Sequence, residues 1–147
     1  MLKSFQKLAQ KKQQPVQNNL PLVAYLAADY DDAIAWFQSA LGWVLVEDTD
    51  RGHGKRWVIM KPHAAAETGF LIAKAVGEQT AGIGKHAAGR VGYFLRTDDF
   101  ESLHAQMLSA NVHFEEEPRY EPYGTVAVFQ DLYGNRWDLL GPARTSV

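Results

Sequence analysis

Residues 126–140 read VAVFQDLYGNRWDLL, two apolar runs separated by a polar segment. Within that segment, Gly134 and Asn135 tolerate the positive φ that a tight turn requires. Two short apolar runs joined by such a turn predict a β-hairpin. One polar residue, Asp138, interrupts the second run, and it is the first candidate for a functional side chain.

Asp138 is informative because strand geometry fixes where its side chain points. Successive side chains of a strand alternate between its two faces. We expect Trp137 and Leu139 to face a packed layer. The opposite face then carries Arg136, Asp138 and Leu140. The function of the protein depends on what that opposite face meets.

The composition is that of an ordinary globular chain. Its 147 residues, 46% of them hydrophobic and 22% charged, are enough to bury a substantial core, as one domain or as two small fused modules. The formal net charge of -2 gives no general attraction to nucleic acid or to an anionic membrane surface. The chain has no cysteine, which excludes disulfides, thiolate chemistry and cysteine-ligated zinc.

A basic arm, residues 1–19, contains four lysines and no acidic residue. Its hydrophobic residues fall near helical spacing, which fits a short amphipathic helix docked on the domain or on a second subunit, and a solvated arm fits equally. The arm lacks the apolar segment and cleavage site of a signal peptide, so none is predicted. No apolar run is long enough to span a bilayer, and we expect a cytoplasmic protein that binds neither membranes nor nucleic acid.

Two copies of one pattern follow the arm. Module one, residues 20–75, has the order strand, helix, strand, strand, strand. Its helix begins after Asp29, which is placed as an N-cap, and ends at Gly42, since glycine readily adopts the left-handed conformation of helix ends. The strands of module one are predicted at residues 20–27, 43–48, 56–60 and 68–75.

A glycine-rich linker, residues 76–89, separates this module from module two, residues 90–141. A short tail, residues 142–147, follows. Module two restarts the order with a strand at residues 91–97. Two such modules would each leave one sheet face uncovered, and we expect helices to cover one face while the other curves round a shared cavity.

The second helix repeats the boundaries of the first. Asp98 and Asp99 offer an N-cap, and Glu101 is placed for a capping box. Asn111 stands at its end, like the glycine of module one. Residues 112–114 and the hairpin supply the remaining strands. The two halves are thus an internal duplication of pattern, with little residue identity.

Three stretches in this order resemble a known superfamily. They are DYDDAIAWF with LGW (from Asp29 and Leu41), TDDF with NV (from Thr97 and Asn111) and DLYGNRWDL (from Asp131). They resemble the vicinal oxygen chelate superfamily, which contains glyoxalase I, extradiol dioxygenases and the bleomycin-resistance and fosfomycin-resistance proteins. The chain is most similar to the glyoxalase/bleomycin-resistance/dioxygenase-like proteins of bacteria.

The resemblance covers roughly residues 20–141, and it implies the architecture. The expected fold is α+β, with paired βαβββ modules whose curved sheets surround a cavity. Proteins of this group are often dimers, so a homodimer is expected.

Metal sites in this superfamily take His, Glu or Gln from the first strand of each module and carboxylates from the last. Carried over position by position, the two first-strand ligands fall on Leu22 and Gly92. The last strand of module one offers only apolar residues, 70–72, and Asp138 alone matches, in place of the usual Glu. A divalent ion needs three or four converging ligands, so the resemblance implies that this metal site is lost and that no cofactor is required.

Asp138 is predicted to line the cavity. Its carboxylate can accept hydrogen bonds from cationic or hydroxyl groups of a ligand, or act as a base if burial raises its pKa. A salt bridge to Arg136 or Arg96 is the structural alternative. Both arginines can also grip a carboxylate or phosphate of a ligand, although arginine on a sheet face is more often a structural partner.

Aromatic residues complete the predicted site. Phe94, Trp57 and Tyr123 supply surface on which a planar ligand can stack, and core packing is the common alternative for an aromatic residue in a sheet protein. The full set of predicted ligand-binding residues is Trp57, Phe94, Arg96, Tyr123, Arg136 and Asp138.

Two classes of function fit these residues. The first is a metal-independent protein that binds a small organic molecule in an aromatic-lined cavity, as bleomycin-resistance proteins do. The second is a divalent-metal-dependent lyase or dioxygenase with a non-standard ligand set, in which the metal polarises oxygens of the substrate. Metal-free acid/base catalysis by Asp138 lacks a second catalytic group. The sequence favours the first class.

Overall fold

The structure, a computed structural model, describes residues 15–144. The helix considered for the basic arm falls mainly on residues 1–14, which lie outside the described residues, as do residues 145–147 of the tail. The observed architecture is the predicted α+β fold, with two separate sheets of four and five strands and one α-helix in each half. No helix in the described part of the chain is long and apolar enough to cross a membrane.

Sheet A belongs to the first half of the chain. The elements are β1 (Leu22–Ala27), α1 (Tyr30–Leu41), β2 (Val44–Gly52), β3 (Lys55–Lys61) and β4 (Gly69–Lys74). The strand order is β1-β4-β3-β2, with β1 parallel to β4 and the other pairs antiparallel. This is the predicted order of elements, and β2 and β3 run further towards their hairpin turn than the sequence indicated.

Sheet B belongs to the second half. Its elements are β5 (Val91–Arg96), α2 (Phe100–Ser109), β6 (His113–Phe114), β7 (Arg119–Glu121), β8 (Gly124–Gln130) and β9 (Arg136–Gly141). The order is β5-β9-β8-β6, and β7 also pairs with β8. The β8–β9 hairpin is confirmed. Strand β7 is not among the predicted strands. Both β6 and β7 pair with β8, where sheet A has the single strand β2 beside β3.

The ends of both helices confirm the duplication. The Asp29 carboxylate accepts a hydrogen bond from the backbone N–H of Asp32 at 2.9 Å, which caps α1. Gly42 ends α1 with φ of 69°, and Asn111 follows α2 with φ of 62°. Both chain reversals therefore use the left-handed conformation, which glycine and asparagine adopt at low cost.

Two local predictions are wrong. Asp99, not Asp98, caps α2 by accepting from the N–H of Ser102, so Glu101 falls one position short of a capping box. Asn135 does not take a positive φ; the hairpin turn needs it only at Gly134. Asn135 is buried instead, and its role is that of a hydrogen-bonding side chain.

The two halves share one aromatic core. Tyr25 meets Phe37 edge to face and stacks on Phe70, each with ring centroids 5.2 Å apart. Phe70 also lies 5.7 Å from the ring of Trp137 and 5.0 Å from that of Tyr93, both in sheet B. Contacts of this kind add specific geometry to the burial of large apolar surfaces, so the halves are packed as one body.

Each sheet buries one face in this core and leaves the other outside. In β9, Trp137 and Leu139 are 2% and 0% exposed, whereas Arg136, Asp138 and Leu140 are half-buried on the opposite side. The alternation predicted for the second strand of the hairpin is confirmed.

Candidate functional site

The face of sheet B that points away from the core is the candidate site, and we call it the open face. The register places Phe94 and Val128 on either side of Asp138, and it places Arg96 and Val126 on either side of Leu140. The open face is therefore made of Phe94, Arg96, Val126, Val128, Arg136, Asp138 and Leu140. The parallel pairing of β5 with β9 brings together residues far apart in sequence.

Arg136 is held by the protein itself. Its Nε and one terminal nitrogen donate to the two carboxylate oxygens of Glu115 at 2.8 and 2.9 Å, and the other terminal nitrogen donates to the carbonyl of Gly89 at 3.1 Å. This two-point contact raises the pKa of Arg136 and lowers that of Glu115. Arg136 is thus a structural residue of the open face and has little capacity left for a ligand.

Asp138 is the exception among the charges of this face. Within residues 15–144 its carboxylate receives no hydrogen bond and forms no salt bridge. The salt bridge considered for it does not form, because Arg136 turns to Glu115 instead. Burial raises the pKa of Asp138, and the nearby charges of Arg119 and Glu116 act in opposite directions. A desolvated carboxylate without a partner is unfavourable in the free protein, and a hydrogen-bond donor from a ligand would relieve it.

A pocket of about 360 Å³ lies at the end of the open face. Arg96, Tyr123 and Leu140 are among its lining residues. The Arg96 guanidinium forms no salt bridge with any described residue. Tyr123 is 72% exposed, and Phe94, the neighbour of Asp138, is 63% exposed. The structure therefore places Arg96 and Tyr123 at this pocket and Phe94 beside Asp138 on the adjoining open face.

Trp57 is not part of this group. It lies on β3 in sheet A, where the Arg51 guanidinium stands 5.7 Å from its ring centroid. Its side of sheet A also faces away from the core, and the register places Ala24, Ile59 and Leu71 on the same side. This second surface is apolar at Ala24, Ile59 and Leu71, and Glu47 and Thr49 of β2 lie on it beside Ile59 and Trp57.

Comparison with known proteins places the fold in a family. Residues 19–139 match the model of the Glyoxalase/Bleomycin resistance protein/Dioxygenase superfamily. The chain belongs to this superfamily. Since the match spans nearly all of both sheets, it confirms the resemblance seen in the sequence.

Three relatives illustrate the superfamily. An uncharacterized protein of Shewanella frigidimarina (strain NCIMB 400) is 43% identical over 120 residues, which cover 80% of this chain and 89% of that protein. The crystal structure of UcmS2 has a TM-score of 0.72 at 28% identity and covers 85% of this chain and 98% of its own. That of TnmS3, an antibiotic-binding protein from Streptomyces sp. CB03234, has a TM-score of 0.71 at 25% identity, with 88% and 100% covered.

The positions that carry metal ligands in this superfamily do not fit a metal here. Leu22 holds the first-strand position of β1, and Leu71 takes on β4 the place that Asp138 takes on β9. Gly92 has no room for a ligand, because a Cβ at that position would lie 2.7 Å from the Cβ of Ala87 in the linker. Across residues 15–144, no three His, Cys, Asp or Glu side chains come together in a group that could hold a metal ion.

The sequence did not predict a buried polar cluster that lies at the turn of the β8–β9 hairpin. The Asp131 Oδ2 accepts from the hydroxyl of Tyr25 at 2.8 Å and from the indole nitrogen of Trp137 at 2.9 Å. Its Oδ1 accepts from the backbone N–H groups of Tyr133 and Asn135, each at 3.0 Å. Burial, and then the charge of Asp131, raise the pKa of Tyr25. The polar residues Asp131 and Asn135 could have indicated this cluster, but both residue types are also common in solvent-exposed turns.

His86 was also missed, because it lies in a linker that the sequence indicated only as a loose connection. Its Nε2 accepts a hydrogen bond from the backbone N–H of Leu26 at 3.0 Å, and its ring stacks on Tyr25 at 5.3 Å. The backbone N–H of His86 donates to the side-chain oxygen of Asn135 at 3.3 Å. Burial lowers the pKa of His86, with the charge of Asp131 acting against it. His86 therefore fastens the linker to both halves.

Beneath His86 lies a second cavity, of about 40 Å³. Its lining includes His86, Tyr93 and Asn135. A cavity of this size holds about one water molecule. The pocket beside Arg96 has room for an organic ligand, as do three further surface pockets of about 380 to 480 Å³, and it is the one at the end of the open face.

Proposed function

We propose that this member of the superfamily binds a small organic molecule on the open face of sheet B, without a metal ion. The observation that carries the proposal is the Asp138 carboxylate, which is partly desolvated and has no protein partner beside the exposed ring of Phe94. Ligand sites combine apolar surface with a few polar groups that fix orientation, and this face has both. The antibiotic-binding function of TnmS3, a structural relative, supports the same class of activity.

Metal independence is supported by the ligand positions. No side-chain ligand atom is available at Leu22, Leu71 or Gly92. Asp138 is then a single ligand, whereas a divalent ion needs three or four. Elemental analysis of protein purified without chelator should find no stoichiometric metal. Tightly held Fe, Mn, Ni or Zn in a one-to-one ratio would contradict this part of the proposal and favour a metal-dependent lyase or dioxygenase.

We also propose that the protein acts as a cytoplasmic homodimer, in which the outward face of sheet A covers the ligand on the open face of the partner copy. That surface, with Trp57, Ile59 and Leu71, faces away from the core of its own chain. The arrangement would bring Trp57 to the site it was predicted to line. A Leu71→Asp variant should sediment as a folded monomer and lose ligand affinity, while an unchanged sedimentation coefficient would argue against this interface.

The binding function is tested by a thermal-shift screen of aromatic metabolites and antibiotics, because a ligand that binds only the folded state raises the melting temperature. Ligands found in the screen are measured by calorimetry against Phe94→Ala and Asp138→Ala, which should both weaken binding. Leu108→Ala is the matched control, since Leu108 is a comparably exposed hydrophobic residue on α2. Equal affinities for all these variants would place the ligand elsewhere.

A further inference from the structure

We infer that the ligand of the open face is a planar aromatic molecule with an anionic group at one end and a hydrogen-bond donor, a hydroxyl or an amine, at the other. The anionic group would bind Arg96, the ring would stack on Phe94, and the donor would bind Asp138. This inference rests on the proposed function and specifies the ligand class for the same site.

Most of the charged side chains near the open face are already paired within the protein. Arg119 contacts Glu116 at 3.0 Å and Glu121 at 3.2 Å. Arg136 contacts Glu115 at 2.8 Å. These two arginines and three glutamates leave an excess of one negative charge, but all five side chains are held in salt bridges within the protein.

One cation and one anion are left on the open face. Among the described residues, neither Arg96 nor Asp138 takes part in a salt bridge, and the two do not contact each other. Arg96 pairs with Leu140, which is two positions beyond Asp138 on β9, so the two charges are diagonal neighbours on the same face. Given the rise along a strand and the spacing between strands, the two Cα atoms stand about 8 Å apart.

Phe94 lies between the two unpaired charges. It is the cross-strand neighbour of Asp138 and precedes Arg96 by two residues on the same side of β5. Its ring is mostly exposed, so one face of an aromatic ligand can stack on it. A ligand lying along β5 would reach Arg96 with one end and Asp138 with the other.

Each end has a physical reason to bind its own kind of group. A guanidinium binds carboxylates and phosphates through two parallel hydrogen bonds, and Arg96 has its donors free of competing carboxylates. The Asp138 carboxylate is partly desolvated, and the charges of Arg119 and Arg136 offset this only in part. A ligand hydroxyl or amine would supply the direct hydrogen bond that no described residue provides. A ligand with only one of these groups would leave the other charge unmatched.

The test uses four probes on one ring system: 6-hydroxy-2-naphthoate, 2-naphthoate, 2-naphthol and 2-methoxynaphthalene. Calorimetry should find the hydroxynaphthoate tightest. Arg96→Gln should weaken the two naphthoates about tenfold or more and leave 2-naphthol unchanged. Asp138→Asn should weaken the two hydroxyl compounds by a similar factor and leave 2-naphthoate unchanged. Arg56→Gln is the matched control, because that guanidinium is paired with Asp31 and Asp48 in the other half of the protein, away from the open face.

The results that overturn the inference differ from those that overturn the proposed function. Failure of all four probes to bind at millimolar concentration, or equal loss for all probes in both variants, rejects this ligand class. If another compound from the thermal-shift screen then binds and loses affinity in Phe94→Ala, the proposed function stands without it. If no screened compound depends on Phe94 or Asp138, the proposed function fails as well.

Discussion

The hydroxyl of Tyr25 in β1 donates a 2.8 Å hydrogen bond to Asp131 in the hairpin turn, 106 residues further along the chain. This bond joins the first strand of one half to the hairpin of the other. Trp137 and Asn135 donate to the same carboxylate, so the contact is one member of a fully buried cluster. Polar groups buried together stabilise a fold only while each keeps its partner.

Loss of the Tyr25 hydroxyl and loss of the Asp131 carboxylate should therefore destabilise the protein to different extents. Tyr25→Phe leaves Asp131 with its other donors and should cost about 1 kcal/mol, whereas Asp131→Ala strands several buried donors and should cost about 3 kcal/mol or more. Urea unfolding measures both. Tyr120→Phe is the control, because that tyrosine is half exposed, and its change should stay within about 0.5 kcal/mol. Equal losses for the three variants would show that the cluster contributes nothing specific.

The linker should tolerate alanine at one glycine and not at another. Gly77 and Gly84 both have positive φ, but a Cβ at Gly77 meets open space, whereas one at Gly84 meets the backbone carbonyl of Tyr133. Gly77→Ala should lower the free energy of unfolding by about 1 kcal/mol, because alanine disfavours a positive φ. Gly84→Ala should lower it by clearly more, because the added Cβ also clashes with the carbonyl of Tyr133. Thermal unfolding of the two variants gives the comparison. Similar melting temperatures would mean that the linker does not need its close approach to the hairpin turn.

Protonation of His86 should weaken the fold in mild acid. Burial lowers the pKa of His86 in the folded state below the ordinary value of about 6.5, so between these two values the unfolded chain binds more protons. The contribution of His86 is complete above about pH 6.5 and is lost as the pH falls towards the folded pKa. Between pH 5 and 8, the free energy of unfolding should change less steeply with pH in His86→Gln than in the wild-type protein. His63→Gln, the control in an exposed loop, should keep the wild-type slope.

Asp138 should reduce stability at neutral pH, because its pKa is raised in the folded state. The folded protein then binds the extra proton, so the stability associated with this group is present in acid and lost as the pH rises through the folded pKa. Asp138→Asn should raise the melting temperature at pH 7, with the gain shrinking in acid. Asp48→Asn is the opposite case, since Arg56 lowers the pKa of Asp48, and this substitution should lower the melting temperature. A fall in melting temperature for Asp138→Asn would mean that the carboxylate has a stabilising partner.

The features that sequence predicted are those set by local rules. The caps at Asp29 and Asp99, the left-handed residue after each helix and the alternation along β9 each depend on a few neighbouring residues. The position of Asp138 on an exposed sheet face followed from the same alternation. Phe94 and Arg96 were predicted from their residue types, and their position beside β9 is set by the pairing of β5 with β9, which the sequence did not reveal.

The features that sequence missed depend on distant pairings. The partner of Arg136 is Glu115, which reaches it across β8, and no local pattern distinguishes Glu115 from its two acidic neighbours. Trp57 was grouped with residues of module two because the two modules were expected to share one cavity, whereas its side of sheet A faces away from the core. Asp131 was indicated only as a turn residue, since a turn position explains its type without any reference to Tyr25.

The shared aromatic interior has a consequence for the evolution of the duplicated chain. The rings of Phe37, Phe70 and Trp137 come from both halves, so neither half encloses a complete interior by itself. Separate expression of the two fragments, divided within the linker, should yield insoluble products, and coexpression should restore a soluble complex. An ancestor consisting of a single half would have needed a second polypeptide to fold against, and gene fusion would have made that association permanent.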